Sequence, residues 1–394
     1  MTRDIKIGLF GFGCVGQGLH DVLNNSKGIT ADIHKIAVKH RDKKRSLPAE
    51  YFTYEKEEIL SNKDINLIVE LIDNADDAYE IVSTALKNGK GVVSANKKMI
   101  AEHLEEFVNL QKETGASFLY EASACGSIPI IRTLEEYYDN ELLYSLQGIF
   151  NGSSNYILTK VFDENVDYQT ALQEAKEKGF AETDPTLDVG GFDAKYKLVI
   201  LTAHSYGVYV KPEEVFNYGI QQLAGYDIQY AKEKGLRIKQ IAKVYKVDDD
   251  HLALYVMPQF VRENNYLYNV DNEYNGVIVQ AAFSDRQFFR GKGAGGHPTG
   301  SAVLSDISAT RYAYKYEYRK SYRKNGLNIH QDIELEVYFR YLNKDQFVRD
   351  RFVRINEKYE SEEYNYVIAT VKLSDLKKSD YYTQEGTMLI ELAN

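Results

Sequence analysis

The stretch Ile5-Lys-Ile-Gly-Leu-Phe-Gly-Phe-Gly-Cys-Val-Gly16 decides the fold of the first third of the chain. Its first six residues form an apolar run with few polar interruptions, which is typical of a buried parallel strand. The glycine-rich turn Gly11–Gly16 follows at once, and Gln17–Leu23 then carries apolar residues on one helical face. A strand, the pattern G-x-G-x-x-G and a helix in this order predict a dinucleotide-binding unit.

Each glycine of this turn has its own physical task. Gly11 permits the tight turn, Gly13 lets the backbone approach a pyrophosphate, and Gly16 lets the helix and strand pack closely. The N-terminus of the helix adds free N–H groups and a positive potential for the anion. We therefore predict nucleotide contacts at Gly11, Gly13, Cys14, Val15 and Gly16. A glycine-rich turn that binds no nucleotide is the alternative.

Strands and helices continue to alternate after this turn. The predicted strands are Ile33–Val38, Asn66–Ile72, Gly91–Ala95 and Ser117–Tyr120. The predicted helices are Asp77–Asn88, which Gly89 stops, and one that ends near Thr114. Such alternation implies a parallel, doubly wound sheet of the Rossmann type.

The end of the second predicted strand is basic. It reads Lys39-His-Arg41-Asp-Lys-Lys-Arg45, whereas an NAD-binding turn carries an acid there to hold the ribose 2′-hydroxyl. A basic group accommodates a 2′-phosphate, so Lys39 and Arg41 favour NADP. An ordinary solvated basic loop is an equal alternative, and Asp42 leaves the use of NAD open.

Lys97 directly follows the predicted strand Gly91–Ala95. Ligands of open α/β sheets bind at the carboxyl ends of the strands. We therefore predict that Asn96 and Lys97 contact the nucleotide. A solvated helix start is the alternative for Lys97.

A second informative stretch is rich in acids and ends in lysines. It contains, in order, Glu182, Asp184, Asp188, Asp193, Lys195 and Lys197. Pro185 and the pair Gly190-Gly191 turn the chain among the acids, so the carboxylates can converge on one cationic group. A helix that begins near Phe192 places Asp193 and Lys197 on one face. Carboxylates beside a lysine suit a small substrate with an ammonium group and a proton to move, and a solvated acidic loop is the alternative.

Two further segments combine small and polar residues. Glu121-Ala-Ser-Ala-Cys-Gly-Ser-Ile-Pro129 leaves a strand in small residues, which let backbone come close to a ligand or an ion. Asn151 and Asn155 lie at the mouth of a predicted helix that Ser153 or Ser154 caps. A purely structural capping role is the alternative for both asparagines.

Composition bounds the function. The chain has 394 residues, enough for two domains and a small third, and its net charge of -10 gives no electrostatic reason to expect nucleic acid as a partner. Its two cysteines, Cys14 and Cys125, are far apart in sequence, so we expect neither a disulfide framework nor a zinc site. The segment Met1–Lys6 has no apolar signal region, and no apolar run approaches a membrane-spanning length. We expect a cytoplasmic protein without a membrane partner.

The last part of the chain has a different pattern. Residues 332–341, 364–372 and 387–392 are predicted strands, and Gln346–Tyr359 is a predicted helix. Two interpretations stay open, a small regulatory ligand-binding module and a sheet that caps the preceding domain.

With these segments in order, the chain resembles a homoserine dehydrogenase from Ile5 to about Ile307. The motifs that carry the resemblance are Gly-Phe-Gly-Cys-Val-Gly-Gln-Gly18, Val-Val-Ser-Ala-Asn-Lys97, Tyr-Glu121-Ala-Ser, Ile-Pro-Ile-Ile131, Gly-Ile-Phe-Asn-Gly-Ser-Ser-Asn-Tyr-Ile-Leu158, the acid-rich stretch Glu182–Lys197 and Gly-Lys-Gly-Ala-Gly-Gly-His-Pro-Thr-Gly300. The acid-rich stretch is the most specific of them, and the glycine fingerprint is the least.

The resemblance implies an α/β protein with three parts. Residues 1–130 would form the Rossmann-type domain, to which a helix near 298–315 returns. Residues 131–297 would form an α+β catalytic and dimerisation domain with a mixed sheet. Residues 316–394 would form a small α+β extension that resembles an ACT-type regulatory domain. A homodimer is also implied.

The resemblance further implies the reversible, NAD- or NADP-dependent oxidation of L-homoserine to L-aspartate 4-semialdehyde. This reaction belongs to threonine, methionine and isoleucine biosynthesis. Lys197 and Lys97 would be the catalytic lysines, and Glu182, Asp188 and Asp193 would line the amino-acid pocket. Another amino acid or semialdehyde dehydrogenase of the same plan, or a non-catalytic nucleotide sensor, is the alternative.

The family often holds a monovalent cation, which would be Na⁺ or K⁺. The resemblance places it at the carboxylate of Glu121 and the backbone carbonyls of Ala124, Gly126 and Ile128.

Overall fold

The computed structural model contains two β-sheets with helices packed on them. It describes residues 5–140, 142–323 and 326–392. The strands are, in chain order, β1 (Ile5–Phe10), β2 (Ala31–Ala37), β3 (Phe52–Thr53), β4 (Leu67–Glu70), β5 (Gly91–Ser94), β6 (Phe118–Leu119), β7 (Leu143–Ile149), β8 (Phe216–Asn217), β9 (Leu236–Lys246), β10 (His251–Arg262), β11 (Tyr274–Ala281), β12 (Asp285–Lys292), β13 (Asn328–Ile329), β14 (Glu334–Tyr341), β15 (Arg354–Glu360), β16 (Asn365–Lys372) and β17 (Met388–Leu392).

The α-helices range from single turns to long helices. They are, in chain order, α1 (Cys14–Asn25), α2 (Glu57–Leu60), α3 (Ala75–Lys87), α4 (Lys97–Thr114), α5 (Ile130–Glu136), α6 (Gly152–Glu164), α7 (Tyr168–Glu177), α8 (Thr186–Val189), α9 (Phe192–Tyr206), α10 (Gly225–Glu233), α11 (Gly296–Thr310), α12 (Arg319–Tyr322) and α13 (Leu373–Leu376).

The described chain divides into two units. The first takes the described residues up to Asp139, together with Ala203–Tyr209 and Gly291–Tyr322. The second takes Asn140–Thr202, Val210–Arg290 and the described residues from Arg323 onwards. The division into three domains stays a prediction, and the parts of it that fall on 1–4, 141, 324–325 and 393–394 lie outside the described residues.

The first unit contains a parallel sheet with the strand order β3-β2-β1-β4-β5-β6. Every pairing in this sheet is parallel among the described residues. In β1, five of the six residues are buried, as expected for a strand that helices cover on both faces. The predicted doubly wound sheet is confirmed, and its predicted strands lie within two residues of their predicted bounds.

Local signals explain where the helices of this unit begin and end. The Asn74 side chain caps α3 by accepting a hydrogen bond from the backbone N–H of Asp77. Gly115 ends α4 in a left-handed conformation with φ of 72°, so the predicted end of this helix near Thr114 is confirmed. Helix α11 packs on α1 so closely that a Cβ at Gly18 would lie 2.1 Å from the carbonyl oxygen of Gly296.

The second unit is built on a mixed sheet. Its strand order is β12-β11-β7-β9-β10-β17-β14-β16-β15, and β8 and β13 also pair with β10. The pairs of β7 with β9 and of β9 with β10 are antiparallel, while β10 and β17 are parallel. The predicted mixed sheet is confirmed, and the predicted C-terminal strands β14, β16 and β17 continue it.

The predicted helix Gln346–Tyr359 is wrong. Short 3₁₀ turns cover Lys344–Gln346 and Arg349–Arg351, and Arg354–Glu360 forms the edge strand β15. This strand pairs antiparallel with β16 and is exposed along nearly its whole length. An edge strand exposed on both faces lacks the alternation of apolar and polar residues by which a strand is recognised in sequence.

Across the described ranges, no helix is long and apolar enough to cross a membrane.

Candidate active site

The glycine turn after β1 has the geometry that a pyrophosphate needs. Gly11 has a φ of 94°, which L side chains rarely adopt, and a Cβ at Gly16 would lie 2.5 Å from the carbonyl oxygen of Gly11. At Gly13, a Cβ would meet no atom within 4 Å, so the space beside this residue is open. Helix α1 begins at Cys14, and no side chain caps its N-terminus. The first N–H groups of α1 therefore suit an anion.

The basic segment after β2 divides into two parts. Lys39 and Arg41 are exposed, and the Arg41 guanidinium lies 4.4 Å from the centre of the Tyr54 ring and 3.9 Å from a carboxylate oxygen of Glu55. Arg45 instead donates to the backbone carbonyls of Lys43 and His40, which closes the loop on itself. Lys39 and Arg41 thus present their charges to solvent, whereas Arg45 holds the loop.

The residues at the end of β5 order the start of α4. Asn96 caps this helix by accepting from the backbone N–H of Met99 at 3.0 Å, and its Nδ2 donates to the carbonyl of Ile72 at 3.1 Å. Lys97, half-buried, is the first helical residue, just past the carboxyl end of β5 as predicted. Asn96 thereby ties α4 to the end of β4. The predicted nucleotide contacts of both residues stay predictions.

Glu70, at the carboxyl end of β4, was not singled out in the sequence. It is fully buried, and its carboxylate accepts from the Ile72 N–H at 2.7 Å and from the Ser94 hydroxyl at 2.5 Å. Burial raises its pKa to about 7. A single acid at the end of an apolar strand gives no signal of such burial, because the partners come from other segments.

The predicted cation loop surrounds a buried carboxylate. The two oxygens of Glu121 accept from the backbone N–H groups of Ile131 and Arg132, each at 2.8 Å, at the N-terminus of α5. The backbone N–H of Glu121 donates to Asp306 at 2.8 Å, and Arg132 forms an ion pair with Asp306 at 2.5 Å. Burial, followed by the neighbouring Asp306, raises the pKa of Glu121 to about 8.

The backbone of this loop is tightly constrained. Gly126 has a φ of 57°, and a Cβ there would lie 2.5 Å from the carbonyl oxygen of Lys292. The Ile128 carbonyl accepts from the backbone N–H of Ile130 at 2.8 Å, and Ala124 is buried. Cys125, between these residues, is also buried.

The acid-rich stretch of the second unit forms a cluster around a buried lysine. The Lys197 Nζ lies 2.8 Å from Oδ2 of Asp193 and donates to the carbonyl of Phe150 at 2.7 Å. Lys197 is 7% exposed and Asp193 is 3% exposed, so water reaches neither group freely. The predicted placement of these two residues on one helical face is confirmed. Asn151 joins Asp188 to the cluster, because its Nδ2 donates to Asp188 at 2.7 Å and to Asp193 at 3.0 Å.

The turn before α9 sets the start of this cluster. Gly191 has a φ of 80°, and its carbonyl accepts the helical hydrogen bond from the Lys195 N–H. The helix therefore begins at Phe192, where the sequence predicted it. The side chain of Lys195 lies 4.8 Å from the centre of the Phe192 ring, and burial lowers its pKa.

The other acids of this stretch have different surroundings. Asp184 is exposed, and hydrogen bonds from the hydroxyl and backbone N–H of Thr186 lower its pKa. Glu182 is also exposed, and no hydrogen bond to the Lys197 cluster is found for it within the described parts of the chain. The structure thus brings together Asp188, Asp193 and Lys197, but not Glu182.

The structure corrects the predicted cap of α6 and adds a residue to the cluster. Asn151, rather than Ser153 or Ser154, caps α6 by accepting from the Ser154 N–H at 2.7 Å, so the capping role for Asn151 is confirmed. Asn275, on β11, is fully buried and donates to the same Phe150 carbonyl that accepts from Lys197. No sequence signal identified Asn275, because it lies in an apolar strand far from the acids.

Comparisons with known proteins all lead to one family. The family model described as homoserine dehydrogenase matches residues 129–308, and the model of the homoserine dehydrogenase NAD binding domain matches residues 11–121. The homoserine dehydrogenase of Bacillus subtilis is 36% identical over 316 residues, which are 78% of this chain and 73% of that protein.

Two solved structures extend the comparison. The crystal structure of a homoserine dehydrogenase from Thiobacillus denitrificans has a TM-score of 0.86 and 28% identity, and the match covers 100% of this chain and 99% of that one. A hyperthermophilic archaeal homoserine dehydrogenase in complex with NADPH has a TM-score of 0.69 and 27% identity, and that match covers 80% of this chain and 99% of the other.

Proposed function

We propose catalytic and binding roles for individual residues, from the premise that the chain belongs to the homoserine dehydrogenase family. It is an NAD(P)-dependent oxidoreductase that interconverts L-homoserine and L-aspartate 4-semialdehyde, a step of amino-acid biosynthesis. The nicotinamide cofactor, when bound, supplies or accepts the hydride. The protein therefore has to hold the amino acid and to move one proton.

Lys197 is the residue that moves this proton. The buried ion pair with Asp193, at 2.8 Å, is the single observation that carries the assignment. In the reductive direction, the Lys197 ammonium donates a proton to the oxygen that becomes the substrate hydroxyl, and in the oxidative direction the amine takes it back. An ammonium has three N–H donors, and Asp193 and the Phe150 carbonyl account for two acceptors. Lys97 is proposed as the second catalytic lysine, by family resemblance.

The carboxylates bind the amino acid. Asp188 and Asp193 share a donor in Asn151, so the two charges lie close enough to attract one substrate ammonium group. Glu182 is proposed as a third ligand by resemblance. The test compares initial rates with L-homoserine and with shorter and longer hydroxy amino acids. The absorbance of reduced nicotinamide gives each rate. Equal kcat/KM for all of them would contradict a homoserine pocket.

The chain carries the NAD binding domain of its family, and we assign the pyrophosphate to the turn at Gly11, Gly13, Cys14, Val15 and Gly16. The open space at Gly13 and the uncapped start of α1 support this assignment. Asn96 is proposed to contact the nucleotide beside Lys97. We propose NADP as the preferred coenzyme, because the exposed charges of Lys39 and Arg41 suit a 2′-phosphate.

Replacing Arg41 by Ala raises the KM for NADP by roughly two- to five-fold, the range expected for one exposed charge pair, and changes the KM for NAD less. The difference shrinks as salt is added, since the charges involved are exposed. Coenzyme titrations at low and high ionic strength measure both effects. Lys87→Ala is the matched control, because it removes an exposed cation at the opposite end of α3 from the nucleotide edge of the sheet. If NAD and NADP respond equally to Arg41→Ala, the basic segment is only a solvated loop.

We propose that a monovalent cation binds the loop at Glu121, Ala124, Gly126 and Ile128, as the family resemblance implies. The charge balance supports it, because the buried carboxylates of Glu121 and Asp306 face the single guanidinium of Arg132 in this described cluster. A bound Na⁺ or K⁺ would favour the ionised form of Glu121, whose pKa burial otherwise raises to about 8.

We also propose a homodimer. Strand β12 forms an edge of the mixed sheet, and large apolar side chains beside it are exposed, among them Tyr266 at 51%, which stacks on Phe288 of β12, and Phe283 at 75%. An open edge beside apolar surface is a site where a second copy of the chain can pair. Sedimentation velocity measures the assembly, and a monomer at micromolar concentration would contradict the proposal.

A cytoplasmic location is proposed because the reaction draws on the pyridine nucleotides of the cell.

A further inference from the structure

Asn151 uses both ends of its side-chain amide. It lies between β7 and α6 and is 5% exposed. Its Oδ1 caps α6 by accepting from the Ser154 N–H at 2.7 Å. The oxygen of the amide thus serves the helix, and the nitrogen is directed towards other partners.

The nitrogen of this amide bridges two carboxylates. An amide nitrogen has two N–H donors, and those of Asn151 go to Oδ1 of Asp188 at 2.7 Å and to Oδ2 of Asp193 at 3.0 Å. Asp188 lies in α8 and Asp193 in α9, and the Gly190-Gly191 turn separates them. Two carboxylates this close repel each other, and a shared donor between them offsets the repulsion.

The same contact reaches the proton-transfer group. Oδ2 of Asp193 accepts from Asn151 and also lies 2.8 Å from the Lys197 ammonium. The orientation of this carboxylate, and with it the position of the ammonium, therefore depends on the amide nitrogen. Capping alone does not require that nitrogen, because Ser, Asp and Asn caps all use an oxygen acceptor.

We infer that Asn151 is a positioning residue of the dehydrogenase reaction, which sets the spacing and orientation of Asp188 and Asp193 around the substrate ammonium. The inference rests on the substrate-binding role proposed for these two acids. It assigns Asn151 a function that a helix cap alone does not have, and it makes the amide nitrogen the essential atom.

Two substitutions separate the nitrogen from the cap. Asn151→Ser keeps an oxygen acceptor for the Ser154 N–H but removes the bridge to the acids, and Asn151→Asp keeps the size and the acceptor but adds a third carboxylate. We expect kcat/KM for homoserine to fall by roughly 10- to 100-fold in Asn151→Ser, the range for a lost hydrogen bond to a charged group, and further in Asn151→Asp. In Asn151→Ser, a higher KM for homoserine should account for most of the fall in kcat/KM. The dissociation constant of the nucleotide should stay unchanged.

A control variant distinguishes this effect from lost stability. Asp167 caps α7 by accepting from the Thr170 N–H at 3.0 Å and is not joined to the acid cluster, so Asp167→Ser makes a comparable change at a cap. Each variant keeps an oxygen acceptor at its cap, so thermal unfolding should show both proteins folded, with the larger loss of stability in Asn151→Ser because its bridge to the acids is buried. Only Asn151→Ser should change homoserine kinetics. Normal kinetics in Asn151→Ser would reduce Asn151 to a helix cap and overturn the inference.

A double-mutant cycle separates this inference from the proposed function. If Asn151 acts through Asp188, adding Asn151→Ser to Asp188→Ala should cost clearly less than in the wild-type background. If Asp188→Ala alone leaves homoserine kinetics unchanged, the proposed substrate pocket is wrong. If Asp188→Ala impairs the enzyme but the two losses multiply, the pocket stands and the positioning role of Asn151 is overturned.

Discussion

Lys197→Ala lowers kcat by at least about 100-fold, because general acid–base catalysis by one positioned group contributes an acceleration of this order. The Lys197 ammonium is buried between Asp193 and the Phe150 carbonyl, and the truncated side chain leaves no donor in its place. The nucleotide turn belongs to the other unit of the chain, so nucleotide binding should remain nearly intact. Stopped-flow or steady-state turnover with L-homoserine, together with nucleotide fluorescence titration, measures both quantities.

Two further variants sharpen this test. Lys197→Arg keeps a positive charge beside Asp193, but an arginine does not release its proton, so kcat should remain low while the fold is preserved. Lys195→Ala is the matched control on the same helix, since its Nζ lies over the Phe192 ring rather than at Asp193. Near wild-type turnover in Lys197→Ala, or an equal loss in Lys195→Ala, would contradict the assignment of the proton to Lys197.

Features that depend on neighbouring residues in sequence were predicted well. The turn Gly11–Gly16 carries its own steric requirements, and the observed φ of Gly11 and the close approach at Gly16 follow from them. The ion pair between Asp193 and Lys197 is also local, because residues four apart in a helix share a face. The NAD(P)-dependent activity and the family were predicted because these local features occur in a specific order.

Features that depend on distant residues were not predicted. Asn151 contacts acids that lie 37 and 42 positions away, so no spacing rule connects them. Strand β15 exists because β16 pairs with it, while its own sequence favours a helix. The burial of Glu70 likewise depends on Ser94, which belongs to another strand. In each case a residue or strand far away in sequence determines the structure, and the local sequence pattern does not indicate which one.

Asp193→Asn has an expected effect nearly as large as that of Lys197→Ala, but it acts on binding as well as on turnover. The substitution keeps the size of the side chain and removes the charge that holds both the Lys197 ammonium and the proposed substrate ammonium. Because the substrate and the proton donor both lose their alignment, kcat/KM should fall by roughly 100-fold, with a higher KM and a lower kcat. Steady-state kinetics over a range of homoserine concentrations separates the two parameters.

Asp184→Asn is the matched control for this prediction. It neutralises an acid of the same stretch, but Asp184 is exposed and accepts only from Thr186 in the hydrogen bonds described. We expect its kinetics to remain close to wild type, because the charge it removes is screened by solvent. If Asp193→Asn leaves KM and kcat unchanged as well, Asp193 is only an acid in the first turn of α9, where a negative charge stabilises the helix. A loss confined to Asp193→Asn instead requires that its buried charge acts on the reacting groups, since the two substitutions differ in burial and partners but not in chemistry.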